Sequence, residues 1–362
     1  MNYKFINEIT IRYNPSVIEY SHTYQLFICG TYQLCEDQSA GDNDQTLARI
    51  NNRFGSLGLI TRSNQLISDF ECPDGGVFDL RLIRYDSRDD CPLVAHANGS
   101  VAIYCVDNID SDHKFQLIRR FVTESKLLTC LTTISDNELA ITGDSDGKLS
   151  IVHLTDDQSV VRQLSVTKFG EPVWTLFNVR LNNNYVLFVG SDDSKWRAYC
   201  LTAKCLPNIT EVFTQLTPLY VNKDPTAGVT SFATNNSSDN SLSLIVGSYD
   251  EFIRYYDIDY ITDDITGECL QLSVLLKYKL HIPGSGIWRI IVQKDQPNRH
   301  LVSGMYSGAH LVCDHKVVQT LEPSDTFGNE NHLIYGLNCD KNFTDILMAS
   351  FYGQTLYLFS MC

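Results

Sequence analysis

An all-β fold, a seven-bladed β-propeller of WD40 type, is what this sequence predicts, on three observations. One strand-and-turn pattern recurs seven times along the 362 residues. Apolar residues alternate with period two between Gly, Asp and Ser turns, and no stretch shows helical periodicity. No Pro-rich, Gly/Ser-rich or single-sign charged segment divides the chain, so residues 1–362 are expected to form a single domain.

Each copy of the pattern is an apolar run ending in a small residue, a tight polar turn, and a run of alternating aromatic and aliphatic residues. In chain order the copies are LFICGTYQLCED from Leu26, LVAHANGSVAIYCVD from Leu93, LAITGDSDGKLSIVHL from Leu139, VLFVGSDDSKWRAYCL from Val186, SLIVGSYDEFIRYYDI from Ser243, HLVSGMYSGAHLVCD from His300 and ILMASFYGQTLYLFS from Ile346. The small residues are Gly30, Ala95, Gly143, Gly190, Gly247, Gly304 and Ala349, at intervals of 65, 48, 47, 57, 57 and 45. Only the first interval is far from a blade length of about 40 to 50 residues. Short antiparallel strands need protected edges, and a propeller provides this by packing each four-stranded blade on the next. The segments Ser39 to Arg53, Thr202 to Pro225 and Tyr260 to Ser273 read as surface loops. Residues 1–15 are expected either to be loosely ordered or to close the ring. No Gly-His opens a blade and no Trp-Asp closes one, the nearest endings being Tyr256-Asp257 and Cys105-Val106-Asp107.

Twenty-eight Lys and Arg against 43 Asp and Glu leave a formal charge of -15. Such a surface repels phosphate backbones and anionic lipid and draws in a cationic substrate or a basic protein patch, so neither nucleic acid nor membrane is expected as a partner. The N-terminal stretch MNYKFINEITIRYNP has no uninterrupted apolar segment. No run approaches the roughly 18 to 20 apolar residues of a membrane span. A cytoplasmic, soluble monomer is expected. The 12 cysteines include no C-x-x-C, and Cys29, Cys105, Cys200 and Cys313 lie in apolar runs where thiols pack as small hydrophobes. Neither a metal nor a cofactor is expected.

Several strings carry a resemblance. They are SVIEY at Ser16 to Tyr20, CGTYQL near the start, SYDEFIRYYD, GSGIWRI at Gly284 to Ile290, M-x-x-G at Met305 to Gly308, and HLIYG at His332 to Gly336 followed by SFYG at Ser350. In this order, from Pro15 to the C-terminus, the chain resembles the WD-repeat diphthine methylesterases of the diphthamide pathway. The resemblance implies hydrolysis of the methyl ester of methylated diphthine, formed on a histidine of translation elongation factor 2, leaving a carboxylate for the later amidation. Elongation factor 2 is then the expected partner, as protein substrate. Two departures stand out: KFGEPVWTL from Lys168 lacks the family's His before its Glu-x-Trp, and Gly353 stands where the family has Asp.

The chain has no G-x-S-x-G elbow, which sets aside an α/β-hydrolase and leaves activated water or a Ser, His and carboxylate drawn from different blades. His332, in the family-like motif at a blade entrance, is the expected general base, since histidine's ordinary pKa of about 6.5 suits water activation near neutrality. Alternatively it is a structural blade-opening His. Asp250 would orient that imidazole or face the substrate's charge; as a turn Asp, like Asp146, Asp192 and Asp193, it could instead satisfy its own backbone. Ser307 and Ser248 are the serines considered as nucleophiles. Diphthine carries a trimethylammonium, which donates no hydrogen bond and is best held by aromatic faces, each contributing about 0.5 to 2 kcal/mol. Trp174, Tyr249, Trp288, Tyr335 and Tyr352 are the candidates, with Glu171 as counter-charge and Arg289 to polarise the ester carbonyl or pair with a blade Asp. The alternative function is a non-enzymatic WD-repeat scaffold or adaptor in complex assembly or trafficking.

Overall fold

The period-two pattern folds as strands throughout. The computed structural model of the chain describes residues 2–34, 53–107, 114–134, 137–154, 162–166, 170–181, 184–202, 218–237, 241–262, 269–323 and 332–362, and among these there is no helix. Seven four-stranded sheets form the blades of a seven-bladed β-propeller. Blade 1 comprises Pro15–Ser21, Leu26–Thr31, Ser56–Ile60 and Leu66–Glu71. Blade 2 comprises Val77–Tyr85, Arg88–His96, Ser100–Asp107 and Lys114–Val122. Blade 3 comprises Leu128–Ile134, Leu139–Asp144, Lys148–His153 and Arg162–Ser165. Blade 4 comprises Val173–Leu181, Asn184–Ser191, Trp196–Thr202 and Tyr220–Asn222. Blade 5 comprises Val229–Ser237, Ser241–Ser248, Phe252–Thr262 and Cys269–His281. Blade 6 comprises Ile287–Gln293, Gln296–Gly304, Gly308–Cys313 and Lys316–Leu321. Blade 7 takes Ile334–Cys339, Asp345–Ser350 and Thr355–Met361 from the C-terminal end, and its outer strand, Tyr3–Thr10, from the N-terminal end. Among the described residues no helix is long and apolar enough to cross a membrane.

By compactness the chain divides into two units, Met1–Leu131 with Leu321–Cys362, and Thr132–Thr320. In the first, Ile28, Val77 and Tyr104 pack blade 1 on blade 2, and Ile18 and Leu347 belong to the core of blades 1 and 7. In the second, Trp196, Phe188 and Tyr256 form the core of blades 4 and 5, and Ile253, Ile287 and Val302 that of blades 5 and 6. Trp196 is completely buried; truncating such a ring costs about 3–5 kcal/mol.

The small residues have a packing reason. A Cβ at Gly30 would strike Val77, one at Gly190 would strike Val229, and one at Gly247 would strike Ile287, each the first residue of the following blade. Gly30, Ala95, Gly190 and Gly247 lie opposite Val17, Asp79, Thr175 and Ser231 of their own first strands. In blade 6 that place belongs to Ser303, opposite Arg289, while Gly304 lies one residue on, opposite Ile287. The expected alignment of Gly304 is therefore corrected by one residue, because a glycine at a turn outweighed a serine in reading the pattern.

Two of the expected loops contain strands. Tyr220–Asn222 completes blade 4, and residues 260–262 and 269–273 extend the outer hairpin of blade 5. Tyr260 lies opposite Leu272, and both are buried in the core of blades 4 and 5. Arg53 is likewise paired, in a two-residue ribbon with Leu34. Residues 39–52, 203–217 and 263–268 of those segments lie outside the described residues.

Candidate functional site

Three places recur at one end of the blades. The last residue of the second strand faces the first residue of the first strand: Ser191, Ser248, Gly304 and Ser350 face Val173, Val229, Ile287 and Ile334. Two residues before each first strand stand Glu171, Ala227, Ser285 and His332. In the third strand, Arg197, Arg254, His310 and Tyr357 face Val189, Val246, Val302 and Met348. What fills these places decides what each blade can do.

Blades 4 and 5 hold ion pairs there. Arg254 donates to Asp250 at 2.6 and 2.9 Å, with both side chains at most 5% exposed. Arg197 does the same to Asp193, at 2.5 and 3.1 Å. Asp250 also accepts from the Thr226 backbone N–H at 2.8 Å and from Phe252 N–H at 3.2 Å. Burial works against its charge, but the Arg254 guanidinium and these N–H groups prevail and hold the carboxyl below its usual range. Asp250 thus braces its own turn through Arg254, as Asp193 does one blade earlier.

His332 lies in the first unit, half-buried, with Nδ1 3.1 Å from Ser350 Oγ and its ring edge-on to Tyr357. Blade 5 makes the same stitch with Ser248, which donates to the Ala227 carbonyl at 3.0 Å. Blade 2 makes it with His96, 3.2 Å from the Gly75 carbonyl. A stitch that recurs in three blades anchors a loop to its sheet. Gly353 leaves room for it, since a Cβ there would come within 2.7 Å of Ser350 Oγ and 3.6 Å of His332 Nδ1.

The five candidate aromatics fall into two groups. Trp174, Tyr249 and Trp288, from blades 4, 5 and 6, meet one another in the second unit. The centroid of Trp288 is 5.8 Å from both Trp174 and Tyr249, and Trp174 stands edge-on to Tyr249 at 6.4 Å. All three are half-buried. Trp174 Nε1 donates to Asp192 Oδ1 at 2.9 Å, which sets a carboxylate against the trio. Gly228 permits the approach: a Cβ there would lie 2.5 Å from Asp192 Oδ1 and 2.9 Å from the Tyr249 ring. Glu171 is half-buried two residues before blade 4 begins. Arg289 follows Trp288, half-buried, its backbone N–H donating to Ser303 Oγ at 2.9 Å. In the first unit, Tyr335 and Tyr352 both pack on Phe351, at 5.0 and 5.3 Å, and Phe351 stacks on Tyr32. Tyr352 is 64% exposed.

In blade 6 the three places carry no ion pair. Ser307 Oγ lies 2.8 Å from His310 Nε2 and donates to Ser285 Oγ at 2.9 Å, while His310 Nδ1 is 3.2 Å from Thr320 Oγ1. Burial pushes the His310 pKa down to about 4, so the imidazole is neutral at neutral pH. Next to Ser285, a Cβ built on Gly286 would come within 3.4 Å of Met305 Sδ and 3.8 Å of the Tyr249 ring, so the backbone beside this pair borders the aromatic trio. Sequence reading named Ser307 and missed His310, Ser285 and the Asp192–Trp174 bond. His310 is visible in GAHLVCD as a His at an inward-facing strand place, yet nothing local ties it to Ser307. Lys168, where the family-like pattern departs, lies outside the described residues. Among the described residues, no three or more His, Cys, Asp and Glu side chains group to hold a metal ion.

No family model matches the chain. It is similar to a curated protein of Dictyostelium discoideum named diphthine methyltransferase homolog, 24% identical over 379 residues that cover 95% of each chain.

Proposed function

We propose that the chain acts in the diphthamide pathway, hydrolysing the methyl ester of methylated diphthine on translation elongation factor 2. The products are diphthine, ready for the final amidation, and methanol. The observation that carries this reading is the trio of Trp174, Tyr249 and Trp288, three half-buried rings from three blades with the Asp192 carboxylate beside them. A quaternary ammonium is held by ring faces and a nearby negative charge, with no need for a hydrogen-bond acceptor. The formal charge of -15 favours approach of that cationic group. Similarity to a relative named diphthine methyltransferase homolog supports a place in the diphthamide pathway.

The test is mass spectrometry of methylated diphthine peptide on elongation factor 2 after incubation with the protein. The expected result is loss of one CH2 unit from the peptide and release of methanol. A gain of one CH2 unit with a methyl donor present would instead match the relative's name. No change in either direction, with a working control, would remove the enzymatic reading.

A further inference from the structure

The geometry points to Ser307 and His310 as a nucleophile and base pair at the aromatic trio, an assignment that rests on the esterase reading for its substrate. Four observations carry it. Ser307 Oγ is 2.8 Å from His310 Nε2, within reach for direct proton transfer. His310 is itself positioned by Thr320 Oγ1 at 3.2 Å, the third member that orients a base. The strand-end place, serine in blades 4, 5 and 7, is glycine here, and a Cβ on Gly304 would strike Ser285 Oγ, Ser307 Oγ and His310 Nε2 together. Finally, Ser285, which accepts from Ser307, is followed by Gly286, where a Cβ would come within 3.8 Å of the Tyr249 ring, so the pair borders the trio. Blades 4 and 5 fill the corresponding space with Arg–Asp pairs, which brace a turn.

The Ser307 hydroxyl has two acceptors in reach, Ser285 Oγ and His310 Nε2, and rotation about Cβ–Oγ turns its proton from one to the other. In the second orientation Oγ attacks the ester carbonyl carbon and the proton passes to Nε2. Collapse of the tetrahedral intermediate breaks the bond to the methoxy oxygen, which leaves as methanol with that proton. Water, giving its proton to Nε2, then attacks the acyl-serine; the carboxylate product departs and Ser307 recovers its hydrogen. The sum is ester plus water giving acid plus methanol.

A fluorophosphonate, which phosphonylates activated serines, tests this on the intact protein without elongation factor 2. The expected result is a label on the peptide containing Ser307, absent in Ser307→Ala and formed about a hundredfold more slowly in His310→Gln. Gly304→Ala should slow it as well. Because a variant in a tight turn can misfold, near-ultraviolet circular dichroism accompanies each, and Ser307→Cys supplies a second readout. Its thiol should react with iodoacetamide faster than in Ser307→Cys/His310→Gln. Folded wild-type protein that takes no label at Ser307, or a rate unchanged by His310→Gln, overturns the pair. Methanol release by Ser307→Ala would leave the esterase reading standing and remove the pair, whereas labelling of Ser307 without demethylation would do the reverse.

Discussion

In blade 5, Arg254 grips Asp250 with two hydrogen bonds of 2.6 and 2.9 Å; in blade 6, His310 at the same strand place lies 2.8 Å from Ser307. The strand ends differ in step, Ser248 in one and Gly304 in the other. The first arrangement repeats in blade 4 with Arg197 and Asp193, so it belongs to the architecture. The second uses a neutral imidazole and a hydroxyl that meet in the room left by a missing Cβ. In a repeat protein, recurrence across blades marks what holds the fold, and departure from it marks where chemistry can be placed.

The sharpest break of this comparison is Arg254→Met, which leaves the Asp250 carboxylate buried without its counter-charge. We expect a loss of about 3–5 kcal/mol in urea unfolding at neutral pH, much of it recovered when Asp250→Leu is added. Next comes acid. Burial pushes both His300 and His310 down to about 4, and for His300 the neighbouring His315 adds to the effect. In the unfolded chain these groups take up protons below about 6.5, in the folded chain only near 4. Stability is therefore full above about 6.5 and falls as pH drops toward 4, by up to about 3 kcal/mol per histidine. In denaturant titrations at stepped pH, His310→Gln should flatten part of that slope.

Smaller effects sharpen the contrast between the two aromatic groups. Trp288→Ala should weaken binding of a trimethylammonium peptide by about 0.5–2 kcal/mol, read by calorimetric titration. Tyr352→Ala should leave it unchanged, and an equal loss in both would shift the cation site away from the trio. The smallest effect belongs to the stitch at His332. Ser350→Ala should cost about 0.5–1.5 kcal/mol of stability and leave turnover intact; lost turnover in a folded Ser350→Ala protein would return His332 to the chemistry.

The blade pattern was legible in the sequence because it is local. A small residue, a turn and an alternating run lie within a dozen or so positions, and Gly30, Gly190 and Gly247 are small for one packing reason, the first residue of the next blade. The one-residue error at Gly304 and the loops that proved to be strands share a cause: side-chain type was read without the opposing strand. Ser303 is recognised only by facing Arg289, and Tyr260 only by facing Leu272. For the site, Trp174, Tyr249 and Trp288 were named as residue types suited to a cation, but their meeting is a fact of three different blades. Ser307 was named and His310 was not, although only three positions separate them, because a turn decides whether such neighbours touch.

Blade 7 takes its outer strand from residues 3–10 and pairs it with Thr355–Met361, and Tyr3 further donates to the Phe343 carbonyl. During synthesis residues 3–10 leave the ribosome long before residues 355–361 are made, so this sheet is completed only after the strands of the other six blades have been made. Closing so long a loop carries an entropic cost that grows only with the logarithm of its length, and lengthened surface loops would hardly weaken the latch. Losing residues 3–10 is a different matter. It would bare Thr355–Met361 as a free edge, where the same segment of a second copy could pair in exchange, so proteolysis at the N-terminus would convert a closing strand into a route to self-association.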